Sequence, residues 1–175
     1  MFKNWRLSSC NGALLAAYFI PAWSLISFHI MMSPVRGLFE RPNISVALFV
    51  SDTLQLSGMG TVRVAWLLAL ARLTVAAFFA IFVVLVSLPR VRRAGSGNEA
   101  LAIALGLGSL ISFASMLMAS HAHEVEALRL HATELMLLLG TAIVLLVEAP
   151  AQDAGGVSTV TREPRAIDQR ALPAQ

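Results

Sequence analysis

Four long apolar runs dominate the pattern of hydrophobic and polar positions along the chain. They cover residues 12–32, 62–88, 100–119 and 127–147. The hydrocarbon core of a bilayer is about 30 Å thick, and a helix needs about 20 residues to cross it. Because each run has about this length and few charges, the pattern predicts an all-α, polytopic membrane protein built as a four-transmembrane-helix bundle.

The connection between the first two runs is long and is not uniformly polar. Within residues 33–61 an apolar stretch occupies residues 44–50, which is too short to span a bilayer. Pro42 and Asn43 precede it and can start a short helix. The stretch favours an interfacial amphipathic helix in this first outer loop. A re-entrant segment that lines a cavity is the alternative.

The end of the chain has a different character. Residues 149–175 contain Pro164 and Pro173, charges of both signs and no apolar period. A segment of this kind cannot bury enough apolar surface to fold. The sequence therefore divides into a transmembrane domain of residues 1–148 and a disordered cytoplasmic tail of residues 149–175.

Composition supports the membrane interpretation and narrows the class of partner. The chain is 57% hydrophobic and 13% charged, whereas soluble domains are typically about 45–50% apolar and about 25% charged. A small soluble domain could not hide that much apolar surface. No basic stripe is interleaved with aromatic residues, so we expect a lipid bilayer and no nucleic acid as partner.

The arginines and lysine predict the orientation. Lys3 and Arg6 precede the first run, and the cluster Arg90, Arg92 and Arg93 lies between the second and third runs. Cytoplasmic segments carry an excess of these residues, so both termini are predicted to be cytoplasmic, although three arginines in the first connection oppose this weakly. The preference for Arg over Lys suggests a bacterium, and hence the cell inner membrane.

Small residues form a stripe on the third predicted helix. They recur every four positions, as Ala100, Ala104, Gly108 and Ser112. Small side chains on one face let another helix approach closely. The stripe predicts helix packing, either within the bundle or with a protein partner, including self-association through the third helix.

Two charged residues lie more than one helical turn inside the ends of the predicted spans. Arg72 is in the second run and Glu134 is in the fourth. A charge at membrane depth is destabilising by a few kcal/mol and needs a partner. Counting residues from the predicted inner ends places the two side chains at similar depth, so they can pair. The alternative is that Arg72 snorkels to the interface beside Trp66.

The four histidines gather near the same predicted level. His29 ends the first run, His121 and His123 lie in the outer turn, and His131 is one helical turn before Glu134. We therefore predict an intramembrane polar cluster of Arg72, His131, Glu134 and His29. If the fourth helix starts at His123, then His123 and Glu124 share a face with His131 and Glu134.

An imidazole and a carboxylate three residues apart on a helix can bind one metal ion. The candidate ligands for a transition metal or for haem b are His29, His121, His123, His131 and Glu134. A haem b would use His29 and one histidine of the other group as axial ligands. The alternatives are a proton-linked site at His131 and Glu134, or solvated interfacial histidines.

No catalytic residue is predicted. The chain has no phosphate-binding glycine loop, nucleophile elbow or zinc-protease motif. We therefore expect a small non-catalytic membrane protein, acting as an accessory, structural or binding subunit of a larger membrane assembly. The alternatives are a haem b or metal-binding electron-transfer subunit and a small proton-linked transporter component.

Overall fold

The computed structural model describes residues 7–88 and 97–148, and within these two stretches the chain is helical without any strand. The long helices are α1 (Leu7–Met32), α4 (Gly58–Ser87), α5 (Gly97–His121) and α6 (Val125–Glu148). Three short elements connect α1 to α4, namely α2 (Pro34–Leu38), a 3-10 turn (Arg41–Asn43) and α3 (Ile44–Leu54).

The predicted four-helix membrane bundle is confirmed. In the described part of the chain, four helices of 24 to 30 residues are long and apolar enough to cross a membrane. At about 1.5 Å per residue even the shortest is roughly 36 Å long, so each is longer than the hydrocarbon is thick, and each begins before its predicted apolar run. The chain is a multi-pass membrane protein. The predicted tail and the arginine cluster at residues 90–93 lie outside the described residues.

The long helices pack in a ring, in which α1 contacts α4, α4 contacts α5, α5 contacts α6 and α6 contacts α1. The main apolar core lies between them. Phe19 of α1 stacks on Phe79 of α4, with ring centroids 5.6 Å apart. Phe82, Leu105 and Leu138 are among the other large buried side chains of this core. The ring therefore closes around aromatic and aliphatic side chains from all four helices.

The small-residue stripe of α5 is used inside the bundle. All four of its members are buried: Ala100, Ala104, Gly108 and Ser112. A Cβ atom at Gly108 would lie 3.3 Å from the Leu138 side chain and 3.6 Å from Val75. The stripe thus brings α5 close to α4 and α6. Self-association through the third helix would have to use a different face, because this one is already covered.

Polar contacts join the start of α1 to the end of α6. The Ser8 backbone N–H lies 3.2 and 3.3 Å from the two carboxylate oxygens of Glu148, and the Ser8 hydroxyl also donates to that carboxylate. Asn11 donates from Nδ2 to Thr141 Oγ1 at 2.8 Å. Glu148 satisfies a backbone N–H that the first turn of a helix leaves free, and its negative charge favours that helix end.

Residues 34–54 form a cap segment over the opposite end of the bundle. Its α2 packs on α1 and α4, its 3-10 turn contacts α6, and its α3 contacts α5. The predicted short helix in the first connection is therefore present as α3. The first two turns of α3 are buried on protein through Ser45, Val46, Ala47 and Val50, while its last turn, residues 51–54, is exposed. The cap segment is attached to the bundle rather than lying free on the membrane.

The close approach of α2 to α1 gives a test of this arrangement. A Cβ atom at Gly37 would lie 2.7 Å from Cα of Ile30 and 2.9 Å from its backbone nitrogen. Because a backbone cannot give way as a side chain can, we expect Gly37→Ala to lower the free energy of unfolding by about 2 kcal/mol.

The matched control is Gly106→Ala, since a Cβ atom there meets nothing within 4 Å. This change should be neutral, or stabilising by up to about 1 kcal/mol through helix propensity. Both values come from unfolding titrations in detergent micelles. Equal stabilities of the two variants would contradict the contact between α2 and α1.

Candidate functional site

Each long helix places one polar side chain at nearly the same depth in the bundle. Trp23, Arg72, Ser112 and Glu134 lie 14 to 16 residues from the helix ends opposite the cap segment. At about 1.5 Å per residue this depth is roughly 21–24 Å, which is within the membrane. All four side chains are buried. We call these four residues the polar layer.

Apolar clusters lie on both sides of the polar layer. The main core, with Phe19 and Phe79, lies on the side of the chain termini, and a smaller cluster lies towards the cap segment. The smaller cluster joins Ile30, Leu38 and Ala47 to two alanines of α4. Polar groups held between apolar clusters have little access to water, so the layer must satisfy its own hydrogen bonds.

The carboxylate of Glu134 is held by two neighbouring side chains, His131 and Trp23. Its Oε2 lies 3.0 Å from Nδ1 of His131, one helical turn away, and Trp23 donates from Nε1 to its Oε1 at 3.3 Å. The other ring nitrogen of His131, Nε2, lies 3.2 Å from the backbone carbonyl oxygen of Pro42. Both nitrogens of His131 are therefore engaged, one within α6 and one with the cap segment.

Arg72 is also joined to the cap segment. Its Nη1 donates to Oδ1 of Asn43, and Asn43 in turn donates from Nδ2 to the carbonyl oxygen of Gly37 at 3.0 Å. Only 2% of Arg72 is exposed, which is incompatible with snorkelling beside Trp66. The direct partner of Arg72 is thus Asn43 rather than Glu134.

Arg72 and Glu134 are nevertheless electrostatic neighbours. The charge of Glu134 acts on the guanidinium of Arg72, but the two form no direct ion pair within the described residues. Two adjacent residues of the 3-10 turn connect them instead, since Asn43 contacts Arg72 and Pro42 contacts His131. Sequence reasoning missed Pro42 and Asn43 as site residues, because a loop has no hydrophobic period that shows which groups face inward.

His29 does not belong to the buried cluster, which corrects its predicted position. Its side chain is 55% exposed, and its Nδ1 lies 3.5 Å from Oε2 of Glu40. The neighbouring residues Ser27 and Ile30 take the buried face of α1. His29 lies between these two residues in the sequence. At about 100° per residue, its side chain points to the side of α1 that faces away from the bundle.

His121 and His123 lie at the cap end of α5, away from the polar layer. They line a groove of about 410 Å³ between α3 and the turn after α5, together with Phe49 and Asp52. His123 has a φ of 56° in that turn, and α6 begins only after it. The fourth helix does not extend back to His123, which is the condition for His123 and Glu124 to share a face with His131 and Glu134.

The predicted metal and haem ligands fall in three separate places. His29 contacts Glu40, His121 and His123 line the groove, and His131 lies beside Glu134 in the bundle. In the described part of the chain, no three His, Cys, Asp or Glu side chains are placed to hold one metal ion. His131 could ligate a haem only by losing its contact with Glu134 or with Pro42.

Several buried polar atoms around the layer have no partner among the described residues. They are Nε of Arg72 and the hydroxyl oxygens of Ser27, Ser45 and Ser112. A buried polar group without a hydrogen bond costs about 1–3 kcal/mol. A fold that keeps several such groups in the polar layer and between it and the cap segment is poorly explained by packing alone, so we regard the polar layer and its cap contacts as the candidate site.

The contacts of Arg72 and Glu134 predict different consequences for their removal. Arg72→Ala leaves a buried Asn43 acceptor and the Glu134 carboxylate without their cation, and should cost about 3 kcal/mol of unfolding free energy. Glu134→Gln should cost about 1 kcal/mol, because an amide can still accept from Trp23 and donate to His131. The exposed Arg63 of α4 supplies a control, and Arg63→Ala should be nearly neutral. A larger loss in Glu134→Gln than in Arg72→Ala would contradict these contacts.

Comparison of the chain with protein-family models, with curated proteins and with solved structures found no match. The function is therefore inferred from the geometry of the polar layer and of the cap segment. What this geometry offers is a cluster of buried polar groups that is tied to one surface segment.

Proposed function

We propose that the chain is a non-catalytic binding subunit of a larger membrane assembly and that the cap segment is its binding surface. The observation that carries this proposal is the attachment of the cap segment by the buried polar layer. Arg72 donates to Asn43, and His131 contacts Pro42. Arg72 and His131 are polar groups whose burial within the bundle is energetically costly, and both fix the position of a surface segment.

The cap segment presents apolar side chains on its free surface. Val35, Phe39 and Leu54 are 60%, 51% and 54% exposed. Exposed large apolar side chains on a segment that also has a polar surface are typical of protein or membrane contacts. Because the segment is already held by internal hydrogen bonds, less conformational entropy is lost when a partner binds it. Both features support a docking role for the cap segment.

The outer faces of the long helices serve a different purpose. Large apolar side chains such as Leu14, Leu25, Leu70 and Met136 are exposed along the spans. Their distribution on all four sides of the bundle suits contact with lipid. The exposed hydroxyls of Thr74 and Thr133 on these faces donate to the backbone of their own helices, so the specificity of the proposed subunit is assigned to the cap segment.

An electron-transfer function has less support from the geometry. Its predicted ligands are dispersed, since His29 lies at the surface beside Glu40 while His131 lies inside the bundle. A pair of axial imidazoles needs a shared cavity between their helices. The proton-linked alternative is better supported, because His131 and Glu134 lie 3.0 Å apart and buried.

For orientation, we propose the inner membrane of a bacterial cell with both termini in the cytoplasm. The arginine cluster at residues 90–93 and the pair Lys3 and Arg6 support it through the positive-inside rule. Reporter fusions at Arg93 and at Gln175 should both give cytoplasmic signals. A periplasmic signal from either fusion would contradict this topology.

The docking role is tested by photo-crosslinking in native membranes. A photoreactive amino acid at Phe39 of the cap segment should give a discrete protein adduct of constant mass. The same amino acid at Leu146, an exposed position on the lipid-facing side of α6, should give no discrete protein adduct.

A second experiment, in the Asn43→Ala variant, tests whether the adduct depends on the polar layer. Asn43→Ala removes the acceptor for Arg72, so it should loosen the cap segment and reduce the adduct formed from Phe39. Equal adducts from Phe39 and Leu146, or an adduct from Phe39 that contains only lipid, would overturn the docking role.

A further inference from the structure

The contact between His131 and Pro42 determines where one hydrogen must be. The backbone oxygen of Pro42 can only accept, so Nε2 of His131 must carry a hydrogen for the 3.2 Å contact to be a hydrogen bond. The cap segment is therefore attached to α6 through an N–H on this side of the ring.

The other side of the ring then requires a second proton. With Nε2 protonated, Nδ1 and Oε2 of Glu134 are 3.0 Å apart and need one proton between them. That proton gives either an imidazolium beside a carboxylate or a neutral imidazole beside a carboxylic acid. Both forms bind the same number of protons, and in both the His131–Glu134 pair has no net charge.

Removal of that proton leaves one contact without a hydrogen. Glu134 is then a buried carboxylate, which needs a donor, and a hydrogen bond to a carboxylate is stronger than one to a neutral carbonyl. The remaining ring hydrogen therefore stays at Nδ1, facing Glu134. Nε2 is left with a lone pair that faces the lone pairs of the Pro42 oxygen, so the contact that holds the cap segment becomes repulsive.

The surrounding groups allow both states. From α4, Arg72 adds one positive charge, so the layer is positive with the proton bound and neutral without it. From α1, Trp23 donates to Glu134, and Tyr18 lies within electrostatic range of it.

The other elements packed against α6 add no charge within the layer. From α5 the polar layer receives only the hydroxyl of Ser112, because the charged residues of that helix lie at its ends. In the 3-10 turn, Arg41 pairs with Glu126 at the exposed surface, 3.3 Å away. The hydrogen bonds therefore favour proton binding, while Arg72 favours its loss.

We propose that His131 and Glu134 form a one-proton binding site whose occupancy holds the cap segment closed. Loss of the proton to water breaks the contact with Pro42, leaves the 3-10 turn attached through Asn43 and Arg72, and opens the polar layer at the cap side next to α6. The buried Ser45 hydroxyl and Arg72 Nε, which lack partners among the described residues, gain water in the open state. This inference goes beyond the docking role, which needs only the closed cap segment.

Thiol labelling of the full chain in detergent micelles tests the proposal. Cys10 is first replaced by serine, and Ser45→Cys then places a thiol of similar size at a fully buried position of α3. Thr53→Cys, exposed on the same helix, serves as the reference for the effect of pH on thiol reactivity. The labelling rate at position 45 relative to position 53 should rise roughly tenfold or more from acid to alkaline pH, as the open state becomes the major one.

Two matched variants assign this rise to the proposed site. Glu134→Gln supplies an amide N–H to Nδ1 and leaves the hydrogen on Nε2, so the relative rate should stay low at every pH. Glu126→Gln removes the negative charge from the exposed ion pair between the same turn and the same helix, and should retain the rise. A relative rate that does not change with pH, or a rise that persists in Glu134→Gln, would overturn the proposal.

A spectroscopic measurement on the unmodified chain covers the case in which Glu134→Gln does not fold. The ¹⁵N resonances of His131 should show hydrogen on Nε2 at acid pH and its loss from Nε2, with retention on Nδ1, at alkaline pH. Hydrogen that remains on Nε2 throughout the pH series would overturn the proposal independently of labelling.

Discussion

The charge of Arg72 is the constraint on which the rest of the site depends. A guanidinium that is 2% exposed at membrane depth cannot be left without an acceptor. The long helices offer it no carboxylate in direct contact, and the acceptor comes from Asn43 in the connection between α1 and α4. The cap segment is thus part of the bundle's own hydrogen bonding.

The same constraint explains why the cap segment folds over one end of the bundle. Asn43 contacts Arg72 and also the backbone of Gly37, while Pro42 contacts His131. These contacts bring the 3-10 turn between α4 and α6 and fix the start of α3. The opposite end of the bundle is joined differently, through Glu148 and the first turn of α1. Each end therefore has polar contacts between segments distant in sequence, and the main apolar core lies between the polar layer and the Ser8–Glu148 contact.

Much of the fold could be predicted from the sequence, since a span needs a long apolar run and the chain has four of them. The similar depth of Arg72 and Glu134 also followed from counting residues along their helices. The position of His29 did not, because α1 is apolar on nearly all sides and its pattern does not show which face is buried. The contacts of Asn43 depend on how a loop folds back, and no local period records that. The stripe at Gly108 showed that a close approach occurs but not with which helix.

The central claim is that Arg72 and Asn43 bond to each other and thereby attach the cap segment. A double-mutant cycle on the unfolding free energy tests it, with Arg72→Met, Asn43→Ala and the double variant titrated in detergent micelles. We predict a coupling energy of about 1 kcal/mol or more, with the double variant losing less stability than the two single losses combined. Losses that add to within about 0.3–0.5 kcal/mol would show that the residues act independently, and would contradict the account.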